Sequence, residues 1–505
     1  MNRSMASTKS SDAPLAFLRL VWIDVSGVRR CRCVPMHLSP KRGADSFAVV
    51  AANATPRAKR LWVHHRSSLA LCCYFLPCYG DEGVVETAWE RGDIVLAPAS
   101  GAMSVIQLPG SCDWLAATAI ISPSGPSTQL PHPWCPRALL ASAVKRLHDV
   151  FGMKIDVGFE TEFVLLDAKT REPLESSVYC QTSGFDIAAE VLRDITSSLG
   201  RAGQTVLHVH GESAPGQFEI VTDHSDDVVA QADAFVARKE VIQRVARKHG
   251  LLASFLPKIW STQAGNASHV HFSLKRARNG VPFLRRRNRD AEEGQLVHDV
   301  LSPQLADFIA GILANIGGLL LHTVGSPNSW RRVQPGCWAG AYACWGVQNK
   351  EALLRVVDAR ENHVEFKAFD GTANPYLGLA GLVCAGMAGL ARRGGVDGVD
   401  GNGALPPPVS IDPQHSKNVP RLPTASFEEL VKASLGNHVD EKFARSADEG
   451  FMEHQWLESM RSYCEDAEGE FQAFFEDFAR VKLAEVERFK AMAFEEEVEL
   501  LLDRY

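Results

Sequence analysis

The chain has 505 residues, with 53 Lys and Arg against 60 Asp and Glu for a formal charge of −7; 46% of residues are hydrophobic and 22% charged. This balance excludes global disorder and a dedicated nucleic-acid binder with a basic face. The length exceeds one simple core, at about 100–200 residues per domain.

In chain order, residues 1–14 are polar and read as a disordered N-terminus. They carry no acid before Asp12, which leaves a transit peptide open, and no apolar signal-peptide core follows. The chain's 12 cysteines include no C-x-x-C pair, so reduced thiols and a cytoplasmic location are expected. Leu18–Asp24, the turn Ser26-Gly27 and the stretch to Pro35 predict a strand, a tight turn and a returning strand, and Gly92–Pro98 predicts another strand. Residues 15–125 are therefore expected to form a small mixed-sheet domain, and residues 126–505 a second, larger one.

Pro131–Pro136 is a rigid crossing, after which Leu140, Val144, Leu147 and Phe151 recur at helical spacing until Gly152 stops the helix. Strands and helices then alternate to about Leu390. The apolar stretches Phe308–Leu321 and Tyr376–Ala391 fall short of the about 18–20 residues that cross a bilayer and read as buried helices, so no membrane partner is expected. Gly394–Pro408 holds five glycines and three prolines and reads as a surface loop. From Glu470 to Tyr505 there is no Gly or Pro, and Phe471, Phe474, Phe475, Phe478 and Val481 mark one helical face for core or subunit packing.

Chemistry enters with Ile155–Leu165. A period of two puts Ile155, Val157, Phe159, Phe163 and Leu165 on one face and turns Glu160 and Glu162 together to the other. Two like charges side by side repel, so the pair needs a cation. The arrangement recurs: Glu212 and Glu219 flank a turn between two strand-like arms, His269, His271 and Ser273 share a face, and Glu365 and Lys367 do the same. Together these imply one polar cavity lined by five carboxylates and a histidine. Hard oxygen donors with a single imidazole suit Mg²⁺ or Mn²⁺, not structural zinc. Five carboxylates exceed what one dication neutralises. Two or more ions with a nucleotide phosphate balance them better, which fits phosphoryl transfer without a P-loop, since no G-x-x-x-x-G-K-[ST] occurs.

These strands, in this order, resemble the glutamine synthetase family. Gly158–Phe163, Glu212–Glu219 with Pro215-Gly216-Gln217 between, and Lys258 to His269 carry the likeness. So do Asn328–Arg332, Pro335-Gly336, Glu365-Phe366-Lys367 and Asn374-Pro375-Tyr376. Trp22–Pro35 resembles the family's β-grasp N-terminal domain. The resemblance implies an α+β fold: a β-grasp domain, then a large catalytic domain with a curved, mainly antiparallel sheet flanked by helices. It implies that Glu162, Glu212 and Glu219 hold one metal, and Glu160, His269 and Glu365 the other. His271 and Ser273 would lie along the nucleotide with Lys350 and Arg355 near its phosphates, and Gly265, Arg332 and Lys367 would meet glutamate. Asp24 would reach a neighbouring subunit's site in a homo-oligomeric ring, a decamer or dodecamer, or else cap a turn of its own chain. The implied activity joins ammonia or a small amine to the side-chain carboxylate of glutamate through a γ-glutamyl phosphate, with ATP as co-substrate and two or three Mg²⁺ or Mn²⁺ ions. The alternative is a catalytically silent paralogue.

Three departures from the family pattern matter. Trp338 in the flap Pro335–Trp338 stands where the family carries a glutamate, and an indole accepts no proton. Lys350 and Lys367 replace arginines, keeping the charge but losing the bidentate fork. Trp338–Gly346 resembles a divergent branch with fungal developmental and plant nodulin-like members, some relatives of which use organic amines. Trp338 would either wall the amine's carbon chain or pack the flap shut.

Overall fold

The computed structural model describes residues 15–37, 67–70, 93–98, 105–110, 113–121, 135–283, 301–393, 468–490 and 492–505, with isolated positions at 405, 408, 409, 419 and 422. The N-terminal fourteen residues, nearly all of the Gly394–Pro408 segment and the expected domain boundary lie outside them.

The first sheet grows from β1 (Leu15–Ile23), whose apolar side chains alternate inward, and β2 (Arg29–His37), which returns antiparallel to it after the predicted turn. Gly27, at φ 79°, makes that turn in a backbone conformation that suits glycine. Strands β3 (Ser67–Ala70), β4 (Asp93–Pro98), β5 (Val105–Gln107) and β6 (Trp114–Ile121) complete it. The order is β2-β1-β6-β4-β3 with β5 also on β6, and β1 runs parallel to β6. A small mixed sheet is thus present. The β-grasp assignment stays an expectation, because most of the chain between β2 and β4 lies outside the described residues.

Helix α1 (Pro136–Phe151) follows, ended as expected by Gly152 at φ 63°. It leads into β7 (Met153–Asp167), the long strand around which a second, eight-stranded sheet is built. The further elements are α2 (Thr182–Arg201), β8 (Val206–Gly211), β9 (Gln217–Thr222), α3 (Val228–Lys248), β10 (Leu251–Ser254) and β11 (Val270–Arg276). Then come α4 (Pro303–Ala314), α5 (Ile316–Thr323), α6 (Pro327–Arg332), β12 (Trp345–Val347), β13 (Leu354–Asp358) and β14 (His363–Phe366). Helices α7 (Pro375–Arg393), α8 (Glu468–Lys490) and α9 (Phe494–Leu501) close the described chain. The sheet order is β12-β13-β14-β11-β7-β9-β8, with β10 also on β7. All its pairs are antiparallel except β12 with β13.

The odd positions of β7 bury Ile155, Val157, Phe159, Phe163 and Leu165 in the main core, where Phe159 stacks on Phe235 of α3 with ring centroids 4.5 Å apart. Even positions face the other side, and there the carboxylates stand. Two expectations need correction. Phe308–Leu321 is not one helix but two, bent by 78° at Asn315, whose side chain bonds back to the Gly311 carbonyl (2.8 Å). Pro375–Arg392 is long and apolar enough to cross a membrane, yet 89% of it is buried within the fold, as a core helix is. Phe474, Phe478 and Val481 of α8 are buried, in keeping with the predicted apolar face.

Candidate active site

Strand pairing gathers the polar residues into a diagonal stripe across the second sheet. Arg355 on β13 opposes Glu365 on β14, and Glu365 opposes His271 on β11. On the far side of β7, Glu162 opposes Glu219 on β9, which opposes His210 on β8. β7 joins the halves: up to Phe159 it pairs with β11, and from Glu160 it pairs with β9. The loop before β11 continues along β7, where the Glu160 and Glu162 N–H groups donate to the His269 and Ala267 carbonyls (3.1 and 3.2 Å).

At one end of the stripe, His269 Nδ1 lies 2.9 Å from Glu160 Oε2 and 3.1 Å from Glu365 Oε1. One ligand atom from each of Glu160, His271 and Glu365 lies within 4.8 Å of the others, close enough to share one ion, and His269 Nδ1 adjoins both carboxylates. His269 Nε2 is buried without a hydrogen-bond partner among the described residues. His271 Nε2 lies 2.8 Å from Glu160 Oε1, and its Nδ1 2.7 Å from His363 Nε2. Glu365 also meets Lys367 Nζ at 2.8 Å and Arg355 Nε at 2.6 Å.

At the other end, Glu162 Oε2 accepts from the Ala267 N–H (2.8 Å) and from Gln217 Nε2 (3.0 Å). Gln217 also donates to the Gly265 carbonyl and Asn266 Oδ1, tying the loop to the sheet. Glu212 Oε1 lies 3.0 Å from His210 Nε2.

The two ends differ in electrostatics. Burial acts to raise Glu160, but contacts with His269 and His271 prevail and hold its carboxyl well below the usual range. Burial likewise opposes ionisation of Glu365, and Lys367 and His269 reverse it. Glu162 and Glu219 have no lysine or arginine in contact among the described residues, and His210 Nε2 stands 3.9 Å from Glu219 Oε1. Burial, with the charge of Glu212, lifts Glu162 to about 7, and burial with the charges of Glu160, Glu162, Glu212 and Glu365 lifts Glu219 to about 10. A buried carboxyl pushed up by four others marks excess negative charge, the condition that divalent cations relieve. The oxygen-rich donor set fits Mg²⁺ or Mn²⁺.

The remaining predicted residues fall at different distances from this stripe. Buried Arg332 donates from Nη2 to the Lys367 and Phe369 carbonyls (3.2 and 3.3 Å), and its Nε has no partner among the described residues. Gly265 packs against it: a Cβ there would stand 2.8 Å from Arg332 Cγ. Ser273 is half-buried on β11 opposite His363, while Lys350 is exposed in the turn between β12 and β13. Trp338 is 52% exposed on a left-handed backbone at φ 51°.

Asp24 lies away from the stripe. Its side chain is wholly buried in its own chain, accepting from the Ser26 and Val28 N–H groups (3.0 and 2.9 Å) and pairing with Arg30. Burial raises its carboxyl to about 6 in spite of Arg30. It caps the β1–β2 turn, as the second of the two expectations for it has it. Sequence reading missed His210, Gln217 and His363. The H-x-H spacing of His208 and His210, matching that of His269 and His271, was the available signal for the first.

A largely antiparallel sheet flanked by helices, with a carboxylate stripe on one face, is the arrangement of a metal-dependent ligase family. Residues 133–474 match the glutamine synthetase catalytic domain, and the chain belongs to the glutamine synthetase family. It is 27% identical to type-1 glutamine synthetase 1 of Dictyostelium discoideum, covering 85% of this chain and 83% of that one. It is 26% identical to the γ-glutamylpolyamine synthetase GlnA3 of Streptomyces coelicolor, covering 82% and 83%. Among solved structures, the GmaS/ADP complex shares the fold with a TM-score of 0.67 at 23% identity over 96% of each chain.

Proposed function

We propose that this protein is an ATP-dependent ligase that forms an amide at the side-chain carboxylate of glutamate, with ammonia or a small organic amine as acceptor. The observation that carries this reading is the carboxylate stripe, with His269 Nδ1 within 3.1 Å of both Glu160 and Glu365. Glu160, His269 and Glu365 would hold one Mg²⁺ or Mn²⁺, and Glu162, Glu212 and Glu219 another. Bound there, the ions would neutralise phosphate charge and orient the transferred phosphoryl group. Arg332, buried beside Gly265, would receive the glutamate α-carboxylate through the Nε that lacks a partner. His271, Ser273 and Arg355 would line the nucleotide. Transfer of the γ-phosphoryl group to the glutamate carboxylate would give an acyl phosphate, whose phosphate the amine displaces. The flap around Trp338 would exclude water during that exchange.

Trp338 supports an organic amine over ammonia. It places an exposed indole on the flap where a cation or a carbon chain can rest, and a γ-glutamylpolyamine synthetase is among the relatives. The exposed Val178, Tyr179, Phe185 and Ile187 around the start of α2, with Leu207 on edge strand β8, support a homo-oligomeric ring.

One observation favours a catalytically silent binding protein instead. Lys367 already neutralises Glu365 at 2.8 Å and competes with an ion there. Incubation with ATP, glutamate and ammonium, methylamine or putrescine, followed by mass spectrometry, tests the ligase reading. A γ-glutamyl amide with ADP is the expected result. No product, together with no Mn²⁺ or ATP-analogue binding by calorimetry, would establish the silent reading.

A further inference from the structure

Beyond the residues given roles above, His208 and His210 project from β8 at the rim of the stripe. One ligand atom from each of His208, His210 and Glu219 lies within 4.8 Å of the others. The two rings sit 5.7 Å apart at 31°, nearly side by side. His210 and Glu219 are direct cross-strand partners, and a ladder irregularity falls between Val206 and His208, the kind of device that re-aims side chains at a sheet edge. Glu212 flanks the group 3.0 Å from His210 Nε2, and the edge of Tyr179 covers His210 at 5.9 Å. His208 itself is exposed, so the group opens to solvent.

We infer that His208, His210 and Glu219 form a binding site for a borderline transition-metal ion such as Zn²⁺, separate in chemistry from the hard-cation stripe although it shares Glu219 with it. Two imidazoles and one carboxylate with an open position are a recurrent zinc donor set. Nitrogen donors favour Zn²⁺, Co²⁺, Ni²⁺ and Cu²⁺, whereas the oxygen-rich stripe suits Mg²⁺ and Mn²⁺, so saturating Mg²⁺ leaves the histidine pair available. A transition-metal ion on β8 draws Glu219 away from Glu162 and Glu212. Trace zinc then antagonises whatever the stripe binds.

The inference does not depend on the ligase reading, because the test reads binding rather than turnover. The full-length protein is titrated with Zn²⁺ by calorimetry, and with Co²⁺ by visible absorption, in saturating Mg²⁺. The expected result is one binding event that survives Mg²⁺ and weakens about tenfold or more in His208→Ala. The exposed His148→Ala serves as a control that leaves it unchanged, and both variants keep the parent's circular dichroism. The inference is overturned if no event survives Mg²⁺, if His208→Ala binds as the parent does, or if His148→Ala weakens binding equally.

Discussion

Glu160, Glu162, Glu219 and Glu365 split into two protonation classes, and the split has a thermodynamic consequence. Glu162 at about 7 and Glu219 at about 10 are raised above the ordinary value of 4.5. A raised carboxyl keeps its proton in the folded state while the unfolded chain loses it, so stability declines as pH rises past 4.5 toward those values. Glu160 and Glu365 are held low and act in the opposite sense, contributing stability that is lost only in acid below the ordinary range. Thermal melts of the metal-free protein are therefore expected to show a midpoint that falls between about pH 5 and about pH 8. Excess Mg²⁺ should flatten that decline, and Glu219→Gln should reduce it without metal. A decline insensitive to Mg²⁺ would count against the stripe as a cation site.

Trp338 makes a second prediction at this scale. Being half-exposed, it can be replaced by alanine at a stability change within about 0.5 kcal/mol, read by urea denaturation. If the indole holds a cationic amine, the same change lowers kcat/KM for that amine relative to ammonium by about two- to thirtyfold.

Among the elements, α6 has the most dependent position. It carries Arg332, and its start is fixed by Asn328, which bonds both backbone groups of Lys258 (2.7 and 3.0 Å). Asn328 also donates to Glu497 of α9 at 2.9 Å, and Arg331 pairs with the same carboxylate at 2.7 Å. Glu497 is fully buried, so α9 anchors the element that bears Arg332. Glu497→Ala strands the Asn328 amide and should cost about 1–3 kcal/mol in chemical denaturation. Arg331, half-exposed, regains water and adds little. Gly265→Ala meets Arg332 and the Pro257 carbonyl directly and should weaken glutamate binding more than it weakens ATP binding, which separate titrations of the two ligands would show.

Across the whole molecule, the first sheet and the C-terminus are joined by buried polar contacts. Ser26 donates to Glu485 of α8 (2.6 Å), which pairs with Lys482 (3.0 Å), and the Tyr505 hydroxyl donates to the Ser26 carbonyl (2.7 Å). This is the setting that holds Asp24 inside its own chain. Analytical ultracentrifugation is expected to show a mass of many chains, and paired charged substitutions at Ile187 and Leu207 are expected to lower it. A monomer at micromolar concentration would contradict the oligomer proposal.

Local pattern by itself determined the alternation of β7, the stop at Gly152 and the turn at Gly27, because each depends on a period of two, a helical spacing or a left-handed backbone angle that a short segment sets alone. It also determined that Glu160 and Glu162 share a face, and that too many carboxylates occur for one region to hold without cations. Only the tertiary structure decided which strands lie side by side. Register across β8, β9, β7, β11 and β14 brings Glu219 against Glu162 and His271 against Glu365, and it brought His210 and Gln217 into the stripe unannounced. It likewise turned Asp24 inward, where the β1–β2 turn uses both its oxygens. Such outcomes depend on residues far apart in the chain meeting in space, and no local periodicity records that.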